Sequence, residues 1–79
     1  MAQFKVIKAL KAQAKADMAK ALLALELLTQ HPSGIGDHTA NDFLKDATES
    51  IKLLASAEER IETIDKYFPE DNPSKILND

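Results

Sequence analysis

The sequence predicts an all-α protein: an antiparallel two-helix hairpin, expected to dimerise into a four-helix bundle. Three observations carry this reading. Two long stretches, about residues 2–30 and 41–68, repeat their apolar residues at alternating spacings of three and four, the period of an amphipathic helix. One block rich in helix breakers, His31-Pro32-Ser33-Gly34-Ile35-Gly36-Asp37-His38, separates them. The two halves also differ in charge: residues 1–30 carry five lysines against Asp17 and Glu26, and residues 31–79 carry five basic against eleven acidic residues, giving +3 and -6.

In the first stretch the seam runs Phe4, Ile7, Lys11, Ala14, Met18, Ala21, Leu25 and Leu28, and only Lys11 interrupts its apolar character. Pro32, Gly34 and Gly36 end this helix near residues 30–31, because proline removes a backbone donor and glycine accepts the geometry of a helix stop. The turn is expected over residues 31–40. Thr39, with Asp42 three residues on, approximates a capping box for the second helix, and Asp37 is the rival cap. The second seam reads Phe43, Ala47, Ser50, Leu54, Ala57, Ile61, Ile64 and Phe68, with Ser50 its polar member. Phe68-Pro69 stops the helix, since the residue before proline is pushed out of helical geometry.

If the chain reverses near Gly36, the seams face each other in layers: Leu28 with Phe43, Leu25 with Ala47, Ala21 with Ser50, Met18 with Leu54, Ala14 with Ala57, Ile7 with Ile64, and Phe4 with Phe68. Small residues fill the middle and large ones close the ends. The reversal also sets Lys5, Lys8, Lys11 and Lys15 beside the acidic end of the second helix. That offsets charges which, on each helix alone, oppose the macrodipole. Residues 1–68 then form a single helical-hairpin domain, with a flexible C-terminal tail at 69–79.

A chain of 79 residues leaves room for one small domain and a thin core. Leu10, Leu22, Leu23, Leu27, Leu44, Ile51 and Leu53 lie off the seams and widen the apolar surface beyond what one partner helix covers. They form the candidate association face, and a two-fold dimer is the simplest way to cover it. The chain has no cysteine, which excludes thiol catalysis and thiolate metal sites. With no run of about 18 apolar residues and lysines interrupting its N-terminal stretch, the protein is expected to be soluble, without signal peptide or membrane contact.

Chemistry is sparse. No catalytic constellation or cofactor-binding motif appears, so no enzyme activity and no cofactor are expected. The turn block is the candidate site: Gly34 and Gly36 let backbone amides approach an anion, while His31, Asp37 and His38 add titratable or metal-binding groups. It lacks the third glycine of a dinucleotide fingerprint and the Gly-Lys-Ser/Thr of a phosphate loop. The plainer reading gives the glycines a turn role, makes Asp37 a cap, and leaves no resident metal, since three ligands on one short loop rarely make a zinc site. The stripe Lys5, Lys8, Lys11 and Lys15 suggests phosphate binding, but without interleaved aromatic residues, and with acidic residues opposite, a nucleic-acid partner is not favoured. Glu58, Glu59, Glu62 and Asp65 read as an exposed, solubilising face.

The turn block between two such helices, followed by an acidic helix ending Asp65-Lys66-Tyr67-Phe68, resembles a family of short uncharacterised proteins of tailed bacteriophages, of the large contractile-tailed myovirus type and including phages of cyanobacteria. The resemblance spans about residues 4–68. It implies a compact helical viral protein in the host bacterial cytoplasm, and no activity or site residues. The function expected is that of a non-enzymatic, homo-oligomeric interaction or adaptor module, with a phage or host protein as a further partner. The alternatives are a small-ligand or metal-binding module at the turn and a nucleic-acid accessory protein using the lysine stripe. Replacing Gly36 by Ala tests the turn: where Gly36 holds a positive φ, Gly36→Ala lowers unfolding free energy by at least about 0.4–1 kcal/mol in urea titrations.

Overall fold

The structure, a computed structural model, describes residues 2–30 and 40–69. Two helices account for almost all of them: α1, Ala2–Gln30, and α2, Ala40–Tyr67. They pack against each other, and two ion pairs set their direction. Lys11 Nζ lies 2.6 Å from Asp65 Oδ1 and Arg60 Nη2 lies 2.8 Å from Asp17 Oδ2, so the early part of α1 meets the late part of α2. The chain is an antiparallel helical hairpin.

The ends of α2 differ from expectation by one residue each. Ala40, assigned from the sequence to the turn, is already helical. At the other end the Phe68 amide donates to the Ile64 carbonyl at 2.7 Å, and Pro69, lacking an N–H, cannot add the next bond; Phe68 is therefore outside the helix. Asp42 in the first turn and Lys66 in the last suit the macrodipole of α2. In α1 the first turn holds no acidic residue and the last no basic one, so this helix draws its compensation from α2. Thr39, Asp37 and the turn itself lie outside the described residues.

The core is thin. Ala14, Ala21 and Ala57 are the buried hydrophobic residues, at 0–1% exposure, and among the described residues no large side chain is fully buried. The other seam residues from Ile7 to Ile64, including Met18, Leu25, Leu28, Phe43, Leu54 and Ile61, are half-buried. The cause is geometric. Two helices side by side make a single layer, so each seam side chain is covered from one side only. Methyl side chains at the buried positions let the axes approach toward the lower end of the 8–10 Å range, and the larger residues are left partly in water. Phe68, expected to close the far end of the seam, is 41% exposed; the side chain of Phe4 lies outside the described residues.

Full burial of a leucine or isoleucine is worth about 1.5–3 kcal/mol, and half-burial realises only part of that. The two polar seam residues are nonetheless satisfied. Ser50 Oγ donates to the Asp46 carbonyl at 2.9 Å, and Lys11 reaches Asp65.

Two outcomes follow for stability, both measured by urea denaturation. Leu54→Ala costs about 2 kcal/mol, the low end of the range for leucine truncation, because the site is only half enclosed. Ala57→Leu costs about 1–3 kcal/mol by forcing the helices apart, whereas Ala16→Leu, on the exposed outer side of α1, stays within about 0.5 kcal/mol.

Candidate functional site

The two ion pairs divide the surface of the hairpin into two edges. Residues seven apart fall close to one row of an α-helix, so each pair extends into rows. On one edge, Asp17 continues to Leu10 and Ala24 on α1, and Arg60 to Asp46, Leu53 and Tyr67 on α2. On the other edge, beside the Lys11–Asp65 pair, run Lys8, Lys15, Leu22 and Thr29 of α1 and Leu44, Ile51, Glu58 and Asp65 of α2. The edges differ in how closed they are. On the first, Asp17, Ala24, Leu53 and Arg60 are half-buried; on the second, every one of the eight residues is exposed.

The candidate association residues therefore do not form one face. Leu22, Leu44 and Ile51 share the open edge, at 51%, 65% and 52% exposure. Leu10 and Leu53 stand on the closed edge: Leu10 shares a hollow of about 390 Å³ with Arg60 and Ile64. Leu53 is half-buried and lines an open groove of about 500 Å³ with Ala24, Leu27, Leu28 and Asp46. Leu23 points to the outer side of α1, 56% exposed. Val6, 58% exposed, joins Leu27 on a row that the sequence reading did not single out.

Charge is redistributed in the same way. Of the lysine stripe, Lys11 is drawn inward, its side chain 17% exposed beside Asp65, while Lys5, Lys8 and Lys15 remain exposed. Lys8, Lys11, Ala12 and Lys15 border a shallow hollow of about 250 Å³. Asp65 thus leaves the group of purely solubilising carboxylates, and Glu58, Glu59 and Glu62 are exposed. The Asp17–Arg60 pair was not anticipated. Its signal was present: Asp17 and Arg60 each follow a buried alanine by three residues, which puts opposite charges on the same edge once the helices run antiparallel. Arg60 is also steadied by Ser56, whose Oγ and carbonyl accept from Nε at 3.2 and 3.3 Å.

The turn residues His31, Gly34, Gly36, Asp37 and His38 lie outside the described residues. Among the described residues, no group of three or more His, Cys, Asp or Glu is placed to hold a metal ion. None of the described helices is long and apolar enough to cross a membrane. The arrangement offers surfaces for packing and for charge pairing. Comparison of the chain with protein-family models, curated proteins and solved structures finds no match.

The Asp17–Arg60 contact is measurable. A double-mutant cycle of Asp17→Ala and Arg60→Ala yields a coupling of about 0.5–1 kcal/mol that shrinks as salt is raised, since the pair is partly exposed; a coupling near zero would mean that the edge is held by packing alone.

Proposed function

We propose that this protein is a non-enzymatic, homo-oligomeric helical interaction module, an adaptor that presents paired helices to another protein. The observation that carries the reading is the imbalance between core and surface. The described core is three alanines, while Val6, Leu10, Leu22, Leu23, Leu27, Leu44 and Ile51 are all about half exposed or more. Isolated exposed leucines are ordinary, but Leu22, Leu44 and Ile51 share one edge, and grouped apolar surface on so small a scaffold marks an association site. A helix pair without enough buried area of its own gains stability by sharing a core with another pair.

The resemblance to short bacteriophage proteins suggests the setting, an infected bacterial cell, with a phage or host protein as the further partner. Size-exclusion chromatography with light scattering at micromolar concentration gives the mass of two chains or of a higher closed oligomer. A fully helical, stable monomer sinks the reading. A pull-down from infected cells, run beside bait carrying His31→Ala, Asp37→Ala and His38→Ala, then locates the partner. A partner retained by both baits works through the helical faces; one lost with the altered turn would move the function to that block.

A further inference from the structure

The open edge carries a pattern that the closed edge lacks. Each of its two rows is split in the middle. Toward the turn the rows are uncharged and mostly apolar, with Leu22 and Thr29 on α1 and Leu44 and Ile51 on α2; toward the chain ends they are charged, with Lys8 and Lys15 on α1 and Glu58 and Asp65 on α2. On the next rows outward Lys5 and Glu62 stand at the same end, Ala12, Ala19 and Ala55 lie between, and Glu26, Asn41 and Thr48 make the turn end polar. All of these residues except the Lys11-linked Asp65 present exposed side chains with no bridge needed to hold them in the fold. The closed edge offers no such match: its outer row on α2 is polar throughout, Asp42, Glu49, Ser56 and Thr63, and its central charges Asp17 and Arg60 are already paired within the chain.

The geometry points to a second copy of this chain seated on the open edge, with the two-fold axis running along the helices and both turns at the same end. This rests on the oligomeric reading above and commits it to one face and one orientation. Two copies can meet on this face about either of two axes. An axis along the helices keeps both hairpins pointing the same way and lays α1 of one copy antiparallel on α2 of the other. Leu22 then meets the partner's Ile51, and Lys15 meets the partner's Glu58, each contact occurring twice. An axis across the helices lays α1 on α1 head to tail. It sets the lysine end of one copy against the leucine end of the other, so cations would be desolvated against apolar side chains without a partner. The charge pattern therefore selects the first arrangement, and Leu22, Leu44 and Ile51 supply its apolar contact. The small residues Ala12, Ala19 and Ala55 on the flanking rows allow close approach.

The test uses the full chain, with helicity checked by circular dichroism and the dimer dissociation constant measured by analytical ultracentrifugation. Leu22→Ala raises that constant at least about tenfold, because symmetry removes the contact twice, while Leu23→Ala on the outer side changes it by less than about threefold. Chains carrying Lys15→Glu or Glu58→Lys each self-associate more weakly than the parent. Mixed in equal amounts they form a heterodimer at least about tenfold tighter than either alone, since Glu at 15 then faces Lys at 58 across the interface. Mixing leaves contacts within each chain unchanged, so recovery reports on α1-against-α2 pairing between chains. A parent dimer that is indifferent to Leu22→Ala and shows no gain on mixing overturns this seat and orientation while leaving self-association intact. A stable helical monomer of the parent chain overturns both, and leaves the face to an apolar helix of a different protein.

Discussion

The contact between alanine methyls at the centre of the hairpin is the constraint from which the rest of the structure follows. Ala14, Ala21 and Ala57 are buried because they are small enough to let two helices close on each other. That closeness leaves the leucines and isoleucines on either side splayed at the margins, where a two-helix layer has nothing to cover them. A larger residue at these positions would bury more area and hold the helices farther apart. The chain thus combines a tight contact line with wide apolar margins.

Polar residues are fitted around that line in three ways. Ser50 returns its hydroxyl to its own helix, a bond to the Asp46 carbonyl that satisfies the group locally and competes with the helix ladder only mildly. Lys11 occupies a seam position but lays its stem along the apolar surface and takes its charge to the edge, where Asp65 receives it. Asp17 and Arg60 close the opposite edge. One edge is consequently zipped by a central pair and half-buried rows, and the other is fastened near the chain ends and left open beside its leucines. Two helices with such unequal margins form a sided object.

Much of this was legible in the residues. The three-and-four spacing marked both helices to within a residue or so of their observed ends, and the charge division indicated antiparallel pairing, because lysines early in α1 need acids late in α2. The seam residues from Ile7 to Ile64 are all buried or half-buried, joined by Asp17, Ala24, Leu53 and Arg60 of the closed edge. What the sequence left ambiguous was sidedness. A list of off-seam leucines does not reveal that Leu53 and Leu10 turn one way while Leu22 and Ile51 turn the other; that depends on how the helices roll against each other, which Asp17–Arg60 and Lys11–Asp65 fix. Phe68 illustrates a different gap. Its spacing placed it on the seam, but Pro69 ends the helix just before it, so the period no longer governs where its side chain goes. The candidate residues of the turn remain a matter of sequence, their glycines and histidines lying between the two described helices.

The two ion pairs also have an unequal place in the order of assembly. Helices of this length form in part on their own, but joining them requires closing a loop whose entropic cost rises with the logarithm of the chain enclosed. Asp17 and Arg60 are 43 residues apart, and Lys11 and Asp65 are 54. The increment between them is only about 0.2 kcal/mol, against about 1 kcal/mol between the outer pair and a contact made near the turn. Closure from the turn outward is therefore the inexpensive route, and fraying runs the other way, from the chain ends. Among the described residues Lys11–Asp65 is the outer of the two ion pairs, the one that fraying from the chain ends reaches first.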